Sequence, residues 1–251
     1  AIIIEPAFDM YAVVTTGAGG RAVRLDPLPD LAPGIERVAA ALTPRTRIIF
    51  INTPMNPTGL EIAADEVYHV ARRAPNALVF VDEAYAEFGG GSLMDDRGRL
   101  ASAPNVLVGR TFAKAYGLAG LRAGMVVGEP HRITALKAIV PPYSLNAAVT
   151  AALPAALDDV AHISGYVEEV RRSRELLYAA CDRTGLGYWP SGGNFVLISA
   201  GEAAPRLLAE FAARGIAVRD RTAAGMGGCI RVTAGRVEDT RTVALAIEEA
   251  I

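Results

Sequence analysis

Three apolar runs constrain this chain more than any other feature: residues 47–52 (RIIFIN), 77–82 (ALVFVD) and 105–110 (NVLVGR). Each is continuously hydrophobic rather than alternating, the pattern of a strand buried on both faces. Between the first two, residues 61–74 have helical spacing, with Val67, Val70, Ala71 and Ala74 on one face and a stop near Pro75. Strand, helix and strand at this spacing make a βαβ unit with a right-handed crossover. Residues 1–5 and 21–25 read as two short strands around a turn at residues 17–20, and residues 121–128 read as a further strand. The expected class is α/β with a mostly parallel sheet.

The second half changes character. Pro141 and Pro142 mark a break, followed by helical signals over residues 146–157. A long helix fits residues 158–184: Asp158 or Asp159 caps it, Val160, Ile163, Val167, Val170 and Leu177 form its apolar stripe, and Gly185 stops it. Then come a strand (194–200), a helix (203–214), two strands (216–220 and 229–233) and a last helix (237–251). This α+β pattern predicts a smaller second domain, with the division at residues 1–157 and 158–251.

Several function classes drop out. At 51% hydrophobic and 21% charged, 251 residues can bury a real core. A formal net charge of −2 provides no basic footprint for nucleic acid. No apolar run approaches the roughly 18 residues of a membrane span. The first ten residues carry Glu5 and Asp9 but no basic residue, unlike a signal peptide. Two cysteines encode no disulfide framework, and His69, His131 and His162 lack metal-ligand spacing, so no metal is expected. A soluble cytoplasmic protein is the expectation. The glycines at 17–20 lead into a strand rather than a helix, so they read as a turn and not a phosphate loop. Lys114 and Lys137 are the only lysines, which leaves amine chemistry two candidates.

In open α/β sheets ligands bind beyond the carboxyl ends of the strands. There the chain offers Asn56 in the loop 52–59 (NTPMNPTG), Asp82 and Tyr85 in DEAY, and Thr111 and Lys114 in TFAK, with Arg122 eight residues further on. A lysine amine forms Schiff bases with carbonyls. A pyridoxal phosphate site needs such a lysine and an acid facing the pyridine nitrogen. Asp82, at a strand end, is placed to pair with a pyridinium. Tyr85 and Asn56 can hydrogen-bond the ring oxygen, and Thr111 and Arg122 can hold a phosphate.

Residues 52–59 (NTPMNPTG), 81–88 (VDEAYAEF) and 109–125 (GRTFAKAYGLAGLRAGM) resemble the class I/II, fold type I aminotransferases, most closely those acting on histidinol phosphate. Residues 5–13 (EPAFDMYAV), 191–198 (SGGNFVLI), 215–221 (GIAVRDR) and 229–240 (CIRVTAGRVEDT) follow the same family order. The resemblance implies a fold type I transferase using pyridoxal 5'-phosphate, with a large domain on a mostly parallel sheet and a small α+β domain. It implies that Lys114 binds the cofactor as a Schiff base and shuttles the α-proton, while Asp82 keeps the ring nitrogen protonated. By the same resemblance Asn56 and Tyr85 contact the ring oxygen, and Thr111 and Arg122 lie by the cofactor phosphate. Arg231 then grips the substrate carboxylate or its equivalent end, and Arg219 the substrate phosphate. The implied reaction is transamination between histidinol phosphate and 2-oxoglutarate/glutamate, in histidine biosynthesis, by a homodimer. Aromatic amino acid transamination and threonine-phosphate decarboxylation share the motifs.

Two departures stand out. Ala113 occupies a position commonly Ser in the family, and the family's N-terminal segment, with its glycine-containing loop, precedes the first strand seen here. A catalytically incomplete cofactor-binding fragment is therefore the competing expectation. Lys137, and Glu168 and Glu169 beside Arg171 and Arg172, read as solvated. Trp189 reads as packing at the domain seam, and residues 89–91 as a flexible glycine loop.

Overall fold

The computed structural model describes residues 1–222 and 225–251. Its first sheet contains β1 (Ile2–Ile4), β2 (Val23–Leu25), β3 (Ile48–Asn52), β4 (Leu78–Asp82), β5 (Val106–Thr111) and β6 (Gly124–Gly128), in the spatial order β2-β1-β3-β4-β5-β6. All neighbours are parallel except the antiparallel edge pair β5 and β6. Ile49, Ile51, Val79, Val81, Val106 and Val108 are fully buried on one face, while Ile48, Phe50, Leu78 and Phe80 on the other are half-buried, so β3 and β4 alternate in burial though not in polarity. The register sets Asn52 opposite Asp82 and Asp82 opposite Gly109, a row of strand ends on one rim. Gly109 leaves room in that row for Phe80: a Cβ there would lie 2.5 Å from the ring's Cζ.

The helices in chain order are α1 (Met10–Gly17), α2 (Val38–Ala41), α3 (Ala64–Arg73), α4 (Arg97–Ala101), α5 (Pro130–Lys137), α6 (Ala147–Asp158), α7 (Val160–Thr184), α8 (Ala204–Ala213) and α9 (Val237–Ala250). α3 buries Val67, Val70 and Ala71 against the first sheet, as its spacing predicts, and Tyr68 as well. α7 starts where the Asp159 carboxylate accepts the His162 N–H at 3.0 Å and ends at Gly185, whose φ of 72° caps it.

A second, antiparallel sheet has the order β7-β8-β10-β9, from β7 (Gly187–Trp189), β8 (Phe195–Ser199), β9 (Arg219–Asp220) and β10 (Cys229–Thr233). Its core, closed by α7, α8 and α9, also takes in Tyr85, Phe88 and Ala115 from the loops of the first sheet. The two sheets are thus joined by packing. Arg174 of α7 adds polar ties, donating to the carbonyls of Phe88, Ser191 and Gly193. Trp189 packs against the cluster of Leu197, Met226 and Cys229, and its indole N–H donates to the Asp30 carbonyl at 2.6 Å.

The structure departs from the sequence expectations in several places; α2, α4 and β7 are elements the sequence reading did not give. α1 stands between the first two strands, where only a turn was expected. It buries just Tyr11 and Thr15, four residues apart, while Val13 and Val14 stay exposed, so the helical period is blurred. Val160 is 66% exposed, because the apolar cluster along α7 begins at Ile163. The strand expected over 216–220 narrows to Arg219–Asp220. The glycines at 89–91, expected to be flexible, are clasped by Glu61, whose carboxylate accepts the Gly90 N–H at 2.7 Å.

Gly59 closes the loop after β3, and its carbonyl accepts the Gly192 N–H at 2.8 Å. Its φ is +78°, and an added Cβ would collide with the Ser191 side chain. Gly59→Ala is expected to cost about 2–4 kcal/mol, combining left-handed strain and overpacking. Urea denaturation measures the loss; an unchanged midpoint would refute this account of the loop.

Candidate functional site

Asn52 and Asp82, from that rim row, form the floor of a cavity of about 360 Å³. Asp82 occupies its centre. Its Oδ1 accepts the Ala84 N–H at 3.1 Å, and its Oδ2 accepts the Tyr11 hydroxyl at 2.6 Å. Burial pushes the Asp82 pKa up from the ordinary carboxylate range. The Tyr11 bond, the Ala84 N–H and the charge of Lys114 pull against that shift.

Asn52 fixes the neighbouring loop. Its Nδ2 donates to the Asp82 carbonyl at 3.1 Å, while its Oδ1 accepts the Asn56 N–H at 2.9 Å. Asn56 is thereby turned toward the second sheet, where its Oδ1 accepts from Arg231 Nη1. The Arg231 guanidinium also lies 5.1 Å from the Phe195 ring centroid. Tyr85 stands edge-on to Phe195 at 5.0 Å, and Lys114 Nζ lies 5.1 Å from the Tyr85 ring centroid.

Behind the floor, Arg110 bonds Glu83 at 3.1 Å and also pairs with Glu87. Glu83 further accepts from the Ser92 hydroxyl and the Leu93 N–H. Breaking one partner of such a buried lock leaves a charge uncompensated, so the segment bearing Asp82 and Tyr85 is held firmly.

The far wall is cationic. β9 and β10 pair Arg219 with Arg231, and Arg221 follows β9 with its N–H donating to the Cys229 carbonyl at 2.9 Å. All three line the cavity. The Arg231 pKa is pressed down by burial; Tyr85 counters this, and the charges of Arg221 and Arg219 reinforce it. The Arg221 Nε is buried without a partner among the described residues. Guanidinium groups packed this way suit an anionic ligand.

Six of the eight residues singled out in the sequence meet in this cavity: Asn56, Asp82, Tyr85, Lys114, Arg219 and Arg231. Thr111 and Arg122 are not among its lining. The Thr111 hydroxyl accepts the Ala113 N–H at 3.1 Å; Arg122 is exposed, with its Nη1 donating to the Ala119 carbonyl at 3.1 Å. Lys137 is exposed at the end of α5. Sequence reasoning gave no role to Tyr11, Asn52 or Arg221. Their only signals were positions inside motifs read for other residues. Among the described residues no His, Cys, Asp or Glu group is arranged for a metal, and no helix is long and apolar enough to cross a membrane.

The family model described as aminotransferase class I and II matches residues 1–247. The chain is 37% identical over 251 residues to a histidinol-phosphate aminotransferase of Symbiobacterium thermophilum, covering 100% of this chain and 69% of the relative. It is 38% identical to histidinol-phosphate aminotransferase 2 of Pseudomonas fluorescens, covering 96% of this chain and 66% of the relative. The crystal structure of Sinorhizobium meliloti histidinol-phosphate aminotransferase in complex with pyridoxal-5'-phosphate superposes with a TM-score of 0.89 at 27% identity, over 100% of this chain and 69% of that one. Thermus thermophilus aspartate aminotransferase with maleate gives 0.83 at 26% identity, with the same coverage.

The raised Asp82 pKa fixes the sign of a stability effect. The folded chain holds this proton more tightly than the unfolded chain does. The group's contribution is therefore greatest below the ordinary carboxylate pKa of about 3.9 and falls as pH rises through the folded value. At neutral pH, with no ligand added, ionised Asp82 lowers stability. Asp82→Asn is expected to raise the urea midpoint at pH 7.5, with the gain shrinking toward pH 4. A midpoint lowered equally at both would contradict it.

Proposed function

The chain belongs to the aminotransferase class I and II family, which uses pyridoxal 5'-phosphate, and on that premise we propose that it transfers the amino group between histidinol phosphate and 2-oxoglutarate/glutamate. The observation that carries this reading is one cavity holding an amine, a buried carboxylate and an arginine wall. Its volume lies in the range of small-molecule sites. The donor set also fits the cofactor: a carboxylate for the ring nitrogen, a phenol and an amide for the ring oxygen, and a lysine for the carbonyl. When bound, the cofactor supplies an electrophilic carbonyl and an electron-withdrawing ring.

This chain's residues do the rest. Asp82 holds the proton on the ring nitrogen. Tyr85 and Asn56 would hydrogen-bond the ring oxygen, Asn56 through its Nδ2 while its Oδ1 accepts from Arg231. Lys114 is the one lysine lining the cavity; its Nζ, as a free amine, would take the proton from the substrate's α-carbon and pass it to the cofactor's carbonyl-derived carbon. Thr111 and Arg122, which do not line the cavity, are assigned to the cofactor phosphate on the family resemblance alone. Arg231 takes the glutamate α-carboxylate or the equivalent end of histidinol phosphate, and Arg219 the phosphate, by charge-assisted bonds. We assign the large domain to residues 1–157 and the small one to 158–251, in a cytoplasmic homodimer. The histidinol-phosphate aminotransferases at 37–38% identity support the substrate reading.

The test is absorbance after adding pyridoxal phosphate, then borohydride reduction and peptide mapping. The label is expected on Lys114, and Lys114→Ala is expected to lower turnover by at least about a thousandfold. Arg219→Ala should cut kcat/KM for histidinol phosphate by about 10–100-fold while leaving phenylalanine nearly unchanged. A label on Lys137 would overturn the site, and equal losses with both donors would overturn the phosphate assignment.

A further inference from the structure

We propose that Tyr11 is a positioning residue for Asp82: its hydroxyl, donated to Oδ2 across 2.6 Å, holds the carboxylate charged and oriented toward the cofactor's ring nitrogen. This rests on the reading of Asp82 given above.

The geometry restricts what Tyr11 can do. Its ring is 6% exposed and stacks on Phe50 with centroids 4.8 Å apart and planes at 9°, and Phe8 meets its edge at 5.8 Å. Phe50 lies on β3, between the strand that leads into α1 and the strand that ends at Asp82. The stack therefore carries the phenol across β3 to β4, joining residues 71 apart in sequence.

A phenol donates one proton, and here that proton is committed to Asp82. Burial first, and the Asp82 charge second, push the Tyr11 pKa far above the working range, so the group stays a donor and is no candidate for substrate acid–base chemistry. On the carboxylate, the protein supplies one bond to each oxygen, from Tyr11 and from the Ala84 N–H. An ionised carboxylate has about four acceptor sites, so sites stay open for a pyridinium N–H. Both protein bonds favour the charged form against the burial that opposes it.

The experiment is cofactor binding to the full chain as a function of pH, followed by absorbance, for the wild type, Tyr11→Phe, Asp82→Asn and the double variant. Phenylalanine keeps the stack on Phe50 and removes only the donor. The expected result is a cofactor Kd about tenfold higher in Tyr11→Phe, with its acid limb moved to higher pH. In the Asp82→Asn background the same change should add nothing, because the two residues act as one unit. A role in packing alone would lower the urea midpoint without moving the acid limb, and that result overturns the proposal. So does wild-type affinity with an unmoved limb. If Asp82→Asn binds the cofactor as the wild type does, the reading of Asp82 fails and this inference fails with it.

Discussion

The pairing of β3, β4 and β5 is the constraint on which the rest of the site depends. Their parallel register sets Asn52, Asp82 and Gly109 side by side at one rim. Apolar residues fully buried on these strands make a slip costly, since a shift by one residue would turn Val79 and Val81 to the other face. With the strands fixed, the loops that follow them converge. Asn52 bonds both the Asp82 carbonyl and the Asn56 N–H, so the loop after β3 is locked to the end of β4 before any ligand arrives.

On that rim the molecule separates charge. A buried carboxylate lies at the floor and three guanidinium groups on the far wall, with Lys114 and Tyr85 between. Each end is unfavourable alone: burial opposes the ionised Asp82, and the arginines repel one another. Such preorganised cost is what a ligand with a cationic ring nitrogen and anionic ends relieves, so the groups need little rearrangement when it binds. The Arg110 lock with Glu83 and Glu87 keeps the floor rigid from behind.

The far wall belongs to a different sheet, and the join between the sheets is apolar as well as polar. Tyr85, Phe88 and Ala115 are packed into the core of the second sheet, and Phe195 touches both Tyr85 and Arg231. Tyr85 and Arg231 thus share one aromatic neighbour. Arg174 and the bond from Gly192 to Gly59 tie the same seam through backbone carbonyls.

The sequence by itself determined the α/β class, the three central strands, α3, α7 with its caps, and Asp82, Tyr85, Asn56 and Lys114 as residues that share one rim. These are local properties: continuous apolar runs, helical spacing, and chemistry-bearing residues at strand ends. Tertiary structure alone decided that Tyr11 is the donor to Asp82, because the contact crosses 71 residues and depends on β1 lying next to β3. It also decided that Arg221 joins Arg219 and Arg231 in the cavity wall, while Thr111 and Arg122 remain outside the lining. α1 escaped the sequence because it has only two buried residues, Tyr11 and Thr15, and both of its valines face outward. A pattern read along the chain reports which face a residue prefers. It does not report which distant strand or helix the fold will bring to meet it.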